Sequence, residues 1–142
     1  MIGAQQSTDV TFGALSRRVV GQILRMNLRQ NLGRYGEDRA AIYLQDRGYV
    51  IIDRNWRSRS GEIDLVARDR DRLVFVEVKT RNGSGYGHPF ESITKDKVAR
   101  MRRLVADWCQ AKEVSGVKVR LDAISVLISG GRVSIEHLKQ VF

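Results

Sequence analysis

A chain of 142 residues can bury one ordinary hydrophobic core, so a single main domain is expected. Its 25 Lys and Arg against 16 Asp and Glu leave a net charge of +9, which favours a polyanionic partner: nucleic acid first, an anionic membrane surface second. The single Cys109 excludes an intramolecular disulfide and a cysteine-rich zinc site, and His88 and His137 are too few for a histidine-based metal centre. No apolar run reaches the roughly 18 residues of a transmembrane helix and no leader pattern is visible, so an intracellular, cytoplasmic protein is expected.

Residues 1–30 read as a basic N-terminal extension. Met1 to Asp9 is small and polar. From Leu15, apolar residues recur at Leu15, Val19, Ile23 and Met26 or Asn27, decorated by Arg17, Arg18, Arg25 and Arg29. Such a basic amphipathic helix suits a membrane surface, a nucleic acid or a protein partner. It is short and lacks large aromatic anchors, so an extension ahead of the domain at residues 31–142 is the simpler reading.

A helix is expected from Asn31, as N-cap, to Gly48, as C-terminal stop. Its apolar face holds Tyr35, Ala40, Ala41 and Leu44, and helical spacing puts Glu37 on that inward side. A half-buried Glu steadied by the helix N-terminus is the ordinary reading; a site residue is the other. Tyr49 to Arg57 reads as the first strand, Ser58 to Gly61 as a turn, and Gly61 to Ala67 and Leu73 to Thr80 as a hairpin around Asp69-Arg70-Asp71-Arg72. The glycine-rich segment from Thr80 to Phe90 is a candidate substrate-contacting loop. Ser92 or Thr94 caps a second helix running to about Glu113 with a core stripe of Val98, Met101, Leu104 or Val105, and Trp108. Val117 to Ile128 is a long apolar strand broken by Asp122, and Arg132 to Glu136 is a short last strand. The fold class is therefore α/β. A mixed sheet is expected, an antiparallel three-strand meander joined to a parallel strand by a right-handed helical crossover and flanked by helices.

The hairpin carries charge where a sheet normally carries Val or Ile. A two- or four-residue loop centred between Arg70 and Asp71 pairs residues whose numbers sum to 141, which sets Asp64 across from Glu77 and Glu62 across from Lys79. Alternation then groups Glu62, Asp64 and Val66 on one face, opposite Ile63, Leu65 and Ala67, and groups Leu73, Phe75, Glu77 and Lys79 opposite Val74, Val76 and Val78. Two facing carboxylates repel unless a cation or a proton lies between them. Mg²⁺ suits two carboxylates and a substrate phosphate, with Asp64 and Glu77 as ligands, the Val78 carbonyl as a further donor, and Glu37 binding the metal or its water. Lys79 could polarise water or offset charge on the phosphate. The ordinary alternative is a Glu62–Lys79 ion pair beside a partly exposed Asp64. Lys95, Lys97, Arg100, Arg102 and Arg103 on the second helix are either a solvated face or phosphate contacts, and Arg54, Arg57 and Arg59 make the first turn's rim basic.

Gly33, Gly36-Glu37, Ala40-Ala41, Tyr43-Leu44 and Gly48-Tyr49, then Asn55-Trp56-Arg57, Gly61 to Ala67 and Val74 to Arg81, carry a resemblance. So do Gly87, Pro89, Glu91, Thr94, Lys97, Arg120-Leu121-Asp122 and Ile135-Glu136-His137. Over residues 31–142 the chain resembles the YraN-like family of uncharacterised bacterial predicted endonucleases. That family is itself similar to restriction-endonuclease-like nucleases of the PD-(D/E)xK type and to archaeal Holliday-junction resolvases. The resemblance implies a restriction-endonuclease-like core and Mg²⁺-dependent phosphodiester cleavage, while the substrate does not transfer with the fold. A nuclease acting on DNA with Mg²⁺ or Mn²⁺, with branched or structured DNA as a candidate substrate, is the primary expectation. Carried over by position, Glu37, Asp64, Glu77 and Lys79 are the catalytic set, with Asp64, Glu77 and Glu37 as metal ligands; the hairpin register, not the resemblance, makes Glu62 a partner or positioner of Lys79. Arg57, Arg81, Lys95, Lys97, Arg100 and Arg103 are the expected nucleic-acid contacts, and the resolvase likeness makes a homodimer an expectation. Ile63 stands where the motif's proline often stands. A non-catalytic nucleic-acid-binding or complex-assembly module is the competing class.

Overall fold

The computed structural model describes residues 16–83, 90 and 93–141. The chain divides into two units, Met1–Leu32 and Gly33–Phe142, and the whole sheet with both of its cores belongs to the second. Helix α1 spans Arg17–Asp46 without interruption, so Asn31 is an interior residue and not the expected N-cap. No proline lies in the stretch, and its glycines, Gly21, Gly33 and Gly36, cost only about 1 kcal/mol each against alanine, too little to stop a helix already propagating. The C-terminal end is as expected. Gly48 adopts φ 88°, and the amides of Gly48 and Tyr49 bond back to the Gln45 and Leu44 carbonyls at 3.0 Å.

Five strands follow: β1 (Val50–Ser58), β2 (Gly61–Asp69), β3 (Arg72–Asn82), β4 (Lys118–Ser129) and β5 (Arg132–Leu138). They form one sheet in sequence order. β1, β2 and β3 are an antiparallel meander, β3 and β4 are parallel, and β5 returns antiparallel. Helix α2 (Lys95–Ala111) makes the crossover that a parallel neighbour requires. Thr94 is its N-cap, the side chain accepting from the Lys97 amide at 3.2 Å, while Ser92 lies outside the described residues.

Two cores lie on the sheet's two faces. Ala40, Ala41 and Leu44 of α1 pack with Leu65, Ala67, Val74, Val76, Ile124 and Val126. Met101, Leu104 and Trp108 of α2 pack with Ile63, Val66, Leu73, Phe75 and Leu121. β4 is buried on both faces, which explains its near-continuous apolar run. The α1 layer approaches closely at Gly36, where an added Cβ would stand 1.7 Å from the Thr80 hydroxyl oxygen. That glycine lets the helix bring its next residue, Glu37, down to the sheet.

The hairpin register is the expected one. Leu65–Val76, Val66–Phe75, Ala67–Val74, Arg68–Leu73 and Asp69–Arg72 are paired around a two-residue turn, with Arg70 at φ 58°. The strict alternation on β2 is not. Ile63 joins Val66 in the α2-side core, while Leu65 and Ala67 lie in the α1-side core. Asn55 takes φ 51°, and the β1–β2 ladder skips Asn55 and Asp64, although Arg54–Leu65 and Trp56–Ile63 keep one register on either side of them. The register itself shifts between Ile51 and Asp53. The side chains of β2 change face at Asp64. Among the described residues no helix is long and apolar enough to cross a membrane.

Candidate metal centre and nucleic-acid face

Glu62 and Asp64 of β2 meet Glu37 of α1. These three residues each offer a carboxylate oxygen, and the three oxygens lie within 4.8 Å of one another. Glu37 is half-buried and Glu62 lies at the start of β2. Burial is the largest influence on Glu37 and raises its pKa; a hydrogen bond with Asn55 opposes this, and the neighbouring Glu62 adds to it. Asn55 is thus a hydrogen-bond partner of Glu37. Sequence reasoning passed over it, although an Asn between Arg54 and Trp56 in a strand is a recognisable left-handed position.

Asp64 lies where the β2–β3 pairing ends. The last pair is Leu65–Val76, and beyond it the Asp64 carboxylate itself accepts from the Val78 amide at 2.7 Å. The side chain takes over a ladder position and is fixed by backbone. Its pKa is pushed up to about 7, first by burial, against the Val78 bond, and then by the charges of Glu37, Glu77 and Glu62.

Glu77 and Lys79 follow Phe75 on the face of β3 that looks toward α2. Glu77, Glu62 and Asp64 line a cavity of about 10 Å³, room for roughly one water, shared with Arg100 and Met101. Glu77 and Lys79 line a second cavity of about 20 Å³ with Phe90, Ile93 and Lys97. Glu77 is not among the three residues whose carboxylate oxygens meet, and it borders two small gaps between the sheet and α2, close enough to Asp64 to act on its charge. The β2–β3 pairing stops at Leu65–Val76, so neither Asp64–Glu77 nor Glu62–Lys79 forms the expected cross-strand pair, while on β1 Arg57 faces Glu62 and forms an ion pair with it at 3.6 Å.

Among the expected nucleic-acid contacts, Arg100 and Lys97 line these two cavities. Arg57 is exposed at the rim of the β1–β2 end, and Arg81 is half-buried near the end of β3. Lys95 lines a separate open groove with Val98 and Arg102, and Arg103 is exposed on α2 near Asp107. Most of the glycine-rich loop, residues 84–89, lies outside the described residues.

A second polar cluster was not foreseen beyond the oddity of Asp122 in an apolar strand. Asp122 is fully buried and accepts from Arg120 Nε at 2.8 Å, from Arg120 Nη2 at 2.9 Å and from the Gln140 amide at 3.0 Å, and it is hydrogen-bonded to His137 Nε2 at 2.7 Å. Burial pushes its pKa up, but the bonds from His137, Arg120 and Gln140 outweigh that and hold it low. Arg120 also donates to the Tyr49 hydroxyl at 2.8 Å and to Asp69 at 3.3 Å. This network ties β4, β5 and Gln140 to Tyr49 between α1 and β1 and to Asp69 at the end of β2, and contributes no group to the acidic cluster.

Comparison with known proteins places the chain. The family model of the Uncharacterised protein family UPF0102 matches residues 36–126. A UPF0102 protein of Leifsonia xyli subsp. xyli is 54% identical over 114 residues, covering 80% of this chain and 97% of that protein. Those of Pseudarthrobacter chlorophenolicus and Rhodococcus opacus are 50% identical over 117 residues (82% and 89% of the two chains) and 49% identical over 112 (78% and 95%). The matched stretch includes Glu37, Asn55, Glu62, Asp64, Glu77, Lys79 and Asp122. The chain belongs to the uncharacterised protein family UPF0102, the YraN-like family of the sequence-based expectation.

Proposed function

We propose that the protein is a divalent-metal-dependent nuclease that hydrolyses DNA phosphodiester bonds, with branched or structured DNA as its substrate class. The observation that carries this reading is the meeting of Glu37, Glu62 and Asp64 from two elements, their oxygens within 4.8 Å of one another. Arg57 is the cation paired with this trio, at 3.6 Å from Glu62 and largely exposed. Asp64 bears the desolvation without an ion pair among the described residues. Such a cluster is stable with a proton or with a divalent cation, and carboxylate oxygens are the donors that Mg²⁺ and Mn²⁺ prefer.

Asp64, Glu37 and Glu62 would hold the ion, with Glu77 completing the set from the α2 side. When bound, Mg²⁺ or Mn²⁺ would supply neutralisation of phosphate charge and activation of water. The chain's own groups do the rest. The Val78 amide fixes Asp64, and Asn55 fixes Glu37, so the ligand set is held by backbone and a neighbouring strand rather than by loops. Lys79 stands two residues along the same strand face from Glu77 and makes no ion pair among the described residues, which leaves its ammonium available to a scissile phosphate. Arg100 and Lys97 bring further positive charge to the same gap, and Arg57, Arg81, Lys95 and Arg103 extend a basic surface for flanking phosphates.

Incubation of the purified protein with linear, flapped and four-way-junction DNA in Mg²⁺ or Mn²⁺ tests this. Cleavage that EDTA and Asp64→Asn each abolish is the expected result. DNA binding with no metal-dependent cleavage of any of the three would overturn the enzyme and leave a nucleic-acid-binding module. Equal cleavage by wild type and variant would identify a contaminant.

A further inference from the structure

β2 has two ends of opposite character. Its first residues carry the acidic cluster. Its last, Asp69, opens onto a wide solvent-facing cavity of about 540 Å³ at the β2–β3 turn, lined by Arg47, Arg70, Arg72, Arg120, Lys139 and Tyr49. Five cations from the helix end, the hairpin, β4 and the chain end converge there.

The two carboxylates in the same cavity are already engaged. Asp69 pairs with Arg120 at 3.3 Å and Asp71 with Lys118 at 3.1 Å. Arg47, Arg70, Arg72 and Lys139 make no ion pair among the described residues. The floor is built rather than incidental. The Arg120 side chain is only 9% exposed, and its guanidinium is locked by Asp122 and by the Tyr49 hydroxyl. Arg47 is ordered by its own helix: its guanidinium carbon lies 3.7 Å from the Tyr43 ring centroid and Nη1 donates to the Tyr43 carbonyl at 3.2 Å. Arg120 is spent on Asp122, Asp69 and Tyr49 and holds the floor in place, so the charge open to a ligand is that of Arg47, Arg70, Arg72 and Lys139, which attracts a compact anion with several acceptor oxygens; phosphate matches arginine's fork of donors.

We propose that this cavity is a phosphate-binding site, separate from the acidic cluster, and that its ligand is the phosphodiester backbone of a nucleic acid bound across the sheet. The DNA identity rests on the proposed function above; the phosphate chemistry does not. Seven residues separate Glu62 from Asp69, which at about 3.3 Å per residue puts the two ends of β2 roughly 23 Å apart. A duplex engaging both ends therefore extends over at least about seven base pairs at roughly 3.4 Å per step. The site would anchor an arm of the substrate while the acidic end faces another part of it.

The test uses Arg47→Gln, Arg72→Gln and Lys139→Gln, all exposed positions, with Arg132→Gln as the same charge loss on the β4–β5 turn at the opposite end of the sheet. Affinity for a duplex is measured by fluorescence anisotropy in EDTA across a salt series, and inorganic phosphate is titrated separately by thermal shift. The expected result is a several-fold weaker duplex affinity for each cavity variant and a salt-dependence slope shallower by about one, with Arg132→Gln keeping the wild-type slope. Wild-type slopes in the cavity variants, with a phosphate-induced stabilisation that they lose, would keep the site and make its ligand a free phosphate or nucleotide. Duplex slopes and phosphate response both unchanged would overturn the proposal. Loss of metal-dependent cleavage alone leaves these readouts unmoved, so the two proposals fail separately.

Discussion

At the residue scale, Asp64 makes the metal-free fold sensitive to pH. Its ordinary value is 3.8 and its value in the folded protein is about 7. Between these, the folded state keeps a proton that the unfolded chain has released, so stability falls as pH rises through that window and is flat below about 4. At 1.36 kcal/mol per unit the loss is at most about 4 kcal/mol. Asp64→Asn retains an acceptor for the Val78 amide and removes the charge. In EDTA it is expected to be more stable than wild type at pH 8 and equal to it near pH 4, as read from urea unfolding; a less stable variant at pH 8 would contradict the burial argument. The approach of Glu77 to Asp64 was legible from the hairpin's spacing, and the inward place of Glu37 from its helical phase. The place of Glu62 was not, because alternation assumes an even pleat and the side chains of β2 change face at Asp64.

At the element scale, the position of Glu37 depends on how close α1 comes to β3. Gly36→Ala would put a Cβ 1.7 Å from Thr80 Oγ1 and 2.8 Å from Thr80 Cβ, so the helix must move away. A loss of about 1–3 kcal/mol is expected, with part of it recovered in Gly36→Ala/Thr80→Ala, measured as a double-mutant cycle by denaturant unfolding. Additive effects would mean that the two residues do not meet. The Asp122 network should be costlier to break. Asp122→Ala strands the buried Arg120 charge, and a loss of about 3–5 kcal/mol is expected in the same assay. The strand order and the hairpin register could be read from turn residues and periodicity. The continuity of α1 could not, since Asn31 and Gly33 carry the marks of a helix start that the surrounding helix-forming residues override. The partners of Asp122 were hidden for another reason: Tyr49, Asp69, Arg120 and His137 lie on separate elements and meet only through long-range packing.

At the scale of the whole molecule, the sheet separates charge along its strands. The acidic cluster occupies the Glu62 end of β2 and the arginine-rich cavity the Asp69 end. Composition announced the surplus of positive charge but not this polarity, because Arg47, Arg70, Arg72, Arg120 and Lys139 are scattered through the chain. Uptake of a divalent cation by the acidic end is the central claim. Calorimetric titration of Mn²⁺ into the protein, in two buffers of different ionisation heat at pH 6 and pH 8, reads both binding and the protons it releases. One ion per chain is expected, bound more tightly at pH 8, with proton release at pH 6 that largely vanishes at pH 8 and no binding by Asp64→Asn. Wild-type affinity in Asp64→Asn, or no binding to the wild-type protein at either pH, would contradict it.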